Sequence, residues 1–94
     1  MENKLNRISA LANGCVVLVE HDQDRINYLQ SIIRFIDYRI ETAKDSSELK
    51  TRLSAQEEGV YLTVVLGPDL TDNEVDQLLK VAEQMPRKPA MLLL

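Results

Sequence analysis

Five consecutive apolar residues, Cys15-Val16-Val17-Leu18-Val19, stop abruptly at Glu20-His21-Asp22, and a helical pattern begins at once. A half-exposed strand alternates apolar and polar side chains. This run has no polar face to give to water, so it must lie inside a sheet that is covered on both sides. Its acidic end then falls at the carboxyl end of a buried parallel strand, where an open α/β sheet places its chemistry.

The rest of the chain continues the theme. Ile26, Leu29, Ile33 and Ile36 recur at three and four residues, which predicts a helix from about Asp22 to Ile36, started by Asp22 or Asp24. Tyr38 to Ala43 alternates apolar and polar residues and reads as a strand with one better-buried face. Asp45 and Glu48 have capping-box spacing, and a helix with Leu49 and Leu53 inward follows to about Ala55. Val60 to Leu66 is a second apolar run, broken by Gly67-Pro68-Asp69. Thr71 and Glu74 repeat the capping-box spacing ahead of a helix with Val75, Leu78, Leu79 and Ala82 on one face, which Met85-Pro86 ends. Ala90 to Leu94 reads as a fourth strand. The order β-α-β-α-β-α-β implies a parallel sheet with right-handed crossovers and helices on both faces.

Composition narrows the function classes. The chain has 94 residues, enough for one small domain, and 45% are hydrophobic, too many for a disordered chain. Its net charge is -4 with no dense Lys/Arg block, which argues against direct nucleic-acid binding. No segment approaches the ~20 apolar residues of a membrane span, and the opening lacks a signal-peptide apolar core. The single cysteine, Cys15, cannot form an internal disulfide; a buried, inert thiol and a cytoplasmic location are expected. Residues 1–14 read as a lead-in with a short helix ended by Asn13-Gly14, and 15–94 as the domain proper.

Few residues carry candidate chemistry. Glu20, His21, Asp22 and Asp24 form the only dense set of metal-ligand types. A residual Mg²⁺ site is one reading, and a polar strand end with a helix cap is the favoured one, because the second apolar strand offers no converging carboxylate. His21 has no evident partner and reads as a solvated loop residue. Arg87-Lys88 read as solvated, and Tyr28, Phe35 and Tyr38 as partly buried core. The three glycines stand far apart, so no phosphate loop exists. No cofactor, metal or catalytic residue is expected, and the chain does not read as an enzyme.

The first strand with its acidic end, the Tyr38–Ala43 strand, the capped second helix, the third strand ending in Gly67-Pro68, and Pro89 before an apolar strand together resemble the receiver domain of two-component response regulators. The resemblance runs from Cys15 to Leu94 and covers four strands. It implies a flavodoxin-like α/β three-layer sandwich with a parallel sheet in the order 2-1-3-4, truncated before the fifth strand and lacking the family's lysine.

Receivers take a phosphoryl group on an aspartate ending strand three, beside a Mg²⁺ held by an acidic pair ending strand one. The pair falls here on Glu20 and His21, and the acceptor on Leu66, or on Gly67 if the strand is shifted by one. Neither of the last two can form an acyl phosphate, so the resemblance implies a degenerate, phosphorylation-independent site. Val64-Val65-Leu66-Gly67, with Ile32-Ile33-Arg34-Phe35-Ile36 on the first helix, is further similar to the N-terminal domain of the FleQ/FlrA class of flagellar master regulators. That class implies sigma-54-dependent activation of transcription, AAA+ ATPase and DNA-binding domains in the same parent protein, and a response to cyclic di-GMP.

The expected function is a regulatory domain that signals through protein contact. The unfinished apolar strand Met91-Leu92-Leu93-Leu94 is the candidate interface, giving a homodimer, and the chain is expected to be a fragment or to complete its sheet with another chain. Two alternatives stand beside this: a conventional receiver phosphorylated on Asp69 or Asp72, and a module that binds cyclic di-GMP in the strand-end crevice.

Overall fold

The computed structural model describes residues 14–33, 38–57 and 59–94. Along the chain run β1 (Gly14–Val19), α1 (Gln23–Ile33), β2 (Arg39–Ala43), α2 (Ser46–Ser54), β3 (Tyr61–Leu66), α3 (Asp72–Gln84) and β4 (Ala90–Leu93). The strands form one sheet in the order β2-β1-β3-β4, with every pair parallel. This is the expected α/β architecture and strand order, consistent with a flavodoxin-like fold. The expected lead-in up to Asn13, the helix end at Ile36, and Phe35 lie outside the described residues.

The sheet is covered on both faces, as β1 requires. On one face Ile26, Leu29 and Ile33 of α1 pack against Val16, Leu18 and Val65. On the other, Leu49 and Leu53 of α2 and Leu78 of α3 pack against Cys15, Val17, Val19, Val64 and Leu66. All six residues of β1 are buried. A leucine buried as fully as Leu49 or Leu78 stabilises the fold by about 2 kcal/mol.

Local chemistry sets the helix starts. The Thr71 side chain accepts from the Glu74 backbone N–H while the Glu74 side chain accepts from the Thr71 backbone N–H, a complete capping box. Asp45 caps α2 by accepting from Glu48 N, but Glu48 reaches back to Lys44 N rather than to the cap itself. At α1 the Asp22 carboxylate accepts from Asp24 N, so Asp22 is the capping residue of the two candidates.

Gly14 opens β1, paired with Tyr61 of β3, one residue ahead of the expected strand start at Cys15; the helix expected before it lies outside the described residues. The Tyr38 ring lies so close that a Cβ on Gly14 would stand 2.9 Å from it. Gly59, with φ of 86°, supplies the left-handed residue in the turn before β3.

Candidate functional site

The centre of the site is the carboxyl end of β1 and β3. Val19 pairs with Leu66, and the ladder runs one step further, with Gly67 N donating to Val19 O at 2.9 Å. On the other side Glu20 N donates to Ala43 O at 3.3 Å. Glu20 and Gly67 therefore meet where the two central strands leave the sheet.

Glu20 is fully buried, at 0% exposure, although it is an acidic residue. Its carboxylate is satisfied by backbone donors. Oε2 accepts from His21 N at 2.7 Å and Asp22 N at 3.0 Å, and Oε1 accepts from Asp69 N at 3.4 Å. Such pairing is what makes burial of a carboxylate tolerable. Gly67 makes room for it: a Cβ at position 67 would lie 2.1 Å from Glu20 Oε1.

The two residues onto which the resemblance to a receiver would place an acceptor have different fates. Leu66 is fully buried in the core beside Val19 and Leu78. Gly67 lies in the crevice against the Glu20 carboxylate. Asp69 sends its backbone N–H toward Glu20, while its carboxylate pairs with Arg25 Nε at 3.6 Å. Asp72 is an exposed residue of the first turn of α3.

His21 is exposed, as a loop histidine would be, but it has a partner that no local pattern announces. Its Nε2 meets Glu74 Oε2, joining the end of β1 to the start of α3. Glu74 thus uses one oxygen for the cap and the other for His21. The Thr71 backbone N–H, and after it the His21 ring, holds the Glu74 carboxyl below the ordinary carboxylate range. Among the described residues no three His, Cys, Asp or Glu side chains gather as a metal site.

Cys15 is buried and free. Burial first, and then the Glu41 carboxylate to which its thiol donates at 3.4 Å, pushes the thiol above its ordinary range. Arg87 is not simply solvated: its guanidinium donates to Val60 O at 3.1 Å and Glu57 O at 2.8 Å, tying the approach to β4 to the approach to β3. It also lines an open groove of about 600 Å³ with Tyr38, Tyr61 and Ala90. That groove sits at the amino ends of β3 and β4, away from the carboxyl-end crevice where α/β sheets place ligands. Of the candidate interface residues, Met91 packs on the core, whereas Leu92, Leu93 and Leu94 are 51%, 62% and 52% exposed.

These features define an open α/β domain of flavodoxin-like order, whose strand-end crevice is filled by one of its own carboxylates. The family profile described as flagellar regulatory protein FleQ matches residues 15–94, the whole of the folded unit except Gly14. The chain belongs to this FleQ family, whose members regulate flagellar gene expression. No curated protein and no solved structure matches it significantly. No helix among the described residues is long and apolar enough to cross a membrane.

Proposed function

We propose that this domain is a receiver-like regulatory module of a flagellar transcription regulator, that it accepts no phosphoryl group, and that it acts through protein contact. The observation that carries the reading is the residue facing Glu20 across the crevice, which is Gly67. A glycine has no carboxylate to form an acyl phosphate, and Leu66 turns an aliphatic chain into the core. A phosphoryl group there would also stand against the buried Glu20 carboxylate, and like charges repel.

The conventional-receiver alternative is less well supported. The Asp69 carboxylate is engaged with Arg25, and Asp72 stands outside the crevice on α3. Protein contact is supported by β4, an outer strand with Leu92 and Leu93 half bare. A bare apolar strand edge is suited to association, so the contact is assigned to a homodimer through Met91 to Leu94. In the same reading the parent protein carries the ATPase and DNA-binding parts of a sigma-54 activator, and this domain governs them in the cytoplasm without touching DNA or membrane.

Intact-mass analysis after incubation with acetyl phosphate and Mg²⁺ tests the first half. No adduct is expected, and a phosphate mapped to Asp69 or Asp72 would reject it. Light scattering at micromolar protein tests the second half, where a dimer is expected and a stable monomer rejects association. Titration calorimetry with cyclic di-GMP is expected to give no heat on this polypeptide; saturable heat would favour the ligand-binding alternative.

A further inference from the structure

A buried charge with no catalytic partner calls for a reason, and the surroundings of Glu20 supply one. Its carboxylate sits among three backbone N–H groups, from His21, Asp22 and Asp69. Two of these lie just before α1, where amides have no helical acceptor of their own. The third lies in the loop that leaves β3. Converging backbone amides of this kind form a concavity that takes an anion. Here the anion is covalently part of the chain, and it fits only because position 67 has no side chain.

We propose that Glu20 is a resident anion that latches the β3–α3 loop to the end of β1, and that Glu20 and Gly67 form a size-coupled pair: the carboxylate can be seated only while position 67 is empty. The latch goes beyond the reading of the domain as an associating regulator, and it holds whichever way the domain signals. Asp69 is held from two sides, by its N–H to Glu20 and by its carboxylate to Arg25 of α1. The loop is thereby fixed to β1 inside and to α1 outside. Glu74 and His21 add a second tie between the same strand end and the α3 start. The path from β3 into α3 is set in one position without any external ligand.

The pair has a consequence for engineering. Any side chain placed at position 67 has to push the Glu20 carboxylate off its backbone amides, because its Cβ would stand 2.1 Å from Oε1.

The test is a double-mutant cycle on the whole polypeptide, read by urea unfolding. Gly67→Ala in the wild-type background is expected to lower the folding equilibrium constant about tenfold or more, because the new methyl expels a buried, hydrogen-bonded carboxylate. In the Glu20→Ala background the same substitution enters vacated space and is expected to change the constant by no more than about twofold. The remaining contact, 3.1 Å to the Glu20 Cβ, needs only a small local adjustment. Equal effects of Gly67→Ala in the two backgrounds would overturn the coupling.

Acetate is the probe for the vacated amide site. At matched ionic strength it is expected to raise the thermal midpoint of Glu20→Ala but not of the wild type, and an equal response in both overturns the anion role. Should Glu20→Ala fail to fold, hydrogen exchange on the wild type decides. The His21 and Asp22 amides are expected to exchange at least about tenfold slower than unprotected loop amides, and exchange at the open-loop rate rejects the latch.

Discussion

β2 and β4 are both outer strands of the same parallel sheet, yet they meet their surroundings in opposite ways. β2 is Arg39-Ile40-Glu41-Thr42-Ala43, and its polar groups are engaged: Arg39 and Glu41 both bond Gln56, Glu41 also accepts from Cys15, and Arg52 donates to Thr42 O. β4 is Ala90-Met91-Leu92-Leu93, and only Met91 is packed on the core. A charged, hydrogen-bonded edge resists further pairing, whereas an apolar edge invites it. β4 has the composition of a strand meant to be covered on both faces. The difference teaches that position at the edge of a sheet does not by itself set a strand's character: β2 engages its polar groups within the domain, whereas β4 leaves Leu92 and Leu93 exposed.

The largest expected effect separates the two sides by burial. Leu49→Ala, in the core beneath β1 and β2, is expected to cost about 3 kcal/mol in urea unfolding, while Leu92→Ala costs under about 1 kcal/mol in the monomer. Equal losses would mean that β4 is as well covered as the core. Association comes next. If the proposed dimer forms through β4, Leu92→Asp with Leu93→Asp is expected to weaken it at least about tenfold in sedimentation equilibrium, which is about 1.4 kcal/mol. Arg39→Asp on the opposite edge should leave that affinity unchanged, and the reverse pattern would move the interface to β2.

Between the edges stands α3, whose start is fixed by its capping box. Thr71→Ala is expected to cost about 1 kcal/mol, measured by thermal melting. The smallest effect is in acid. Glu74 is held below its ordinary value of 4.5, so its contribution is present above that value and fades as pH falls through the lower folded-state value. Glu74→Gln should therefore flatten the acid limb of the stability profile, and an unchanged limb would show that the cap and the His21 contact do not bind the charged form. The opposite sign holds for Cys15 beside β2. Its thiol is held above 9.0, so stability should decline as pH rises past that value, and Cys15→Ala should remove the decline.

Much of this was legible in the residues. The runs Cys15–Val19 and Val60–Leu66, the second apolar apart from Thr63, declared interior strands, and β1 and β3 form there. The Asp45/Glu48 and Thr71/Glu74 spacings declared the starts of α2 and α3. Leu49, Leu53, Leu78 and Ala82 were readable as inward positions from period alone, and all are buried. The acidic end of β1 pointed to the crevice.

The contacts that give the crevice its character were not legible. Glu20 reaches Asp69 across a separation of 49 residues, and His21 reaches Glu74 across 53. Arg87 read as a solvated loop residue, but it binds two carbonyls that only the fold brings near. The pairing of Gly14 with Tyr61, and the Tyr38 ring packed over it, extend β1 by one residue that the apolar run did not announce. Leu66 was the first candidate and Gly67 the one a single-residue shift would choose; strand register sends Leu66 into the core and Gly67 to the crevice.

The sequence by itself determined the alternation of strands and helices, the buried faces and the helix caps, since each depends on residues within a turn or two of one another. Only the tertiary structure decided that the Glu20 carboxylate fills the space above Gly67 and that His21 finds Glu74. Those outcomes depend on how β1 and β3 slide into register, and that register is chosen by packing across the sheet rather than by any neighbour along the chain.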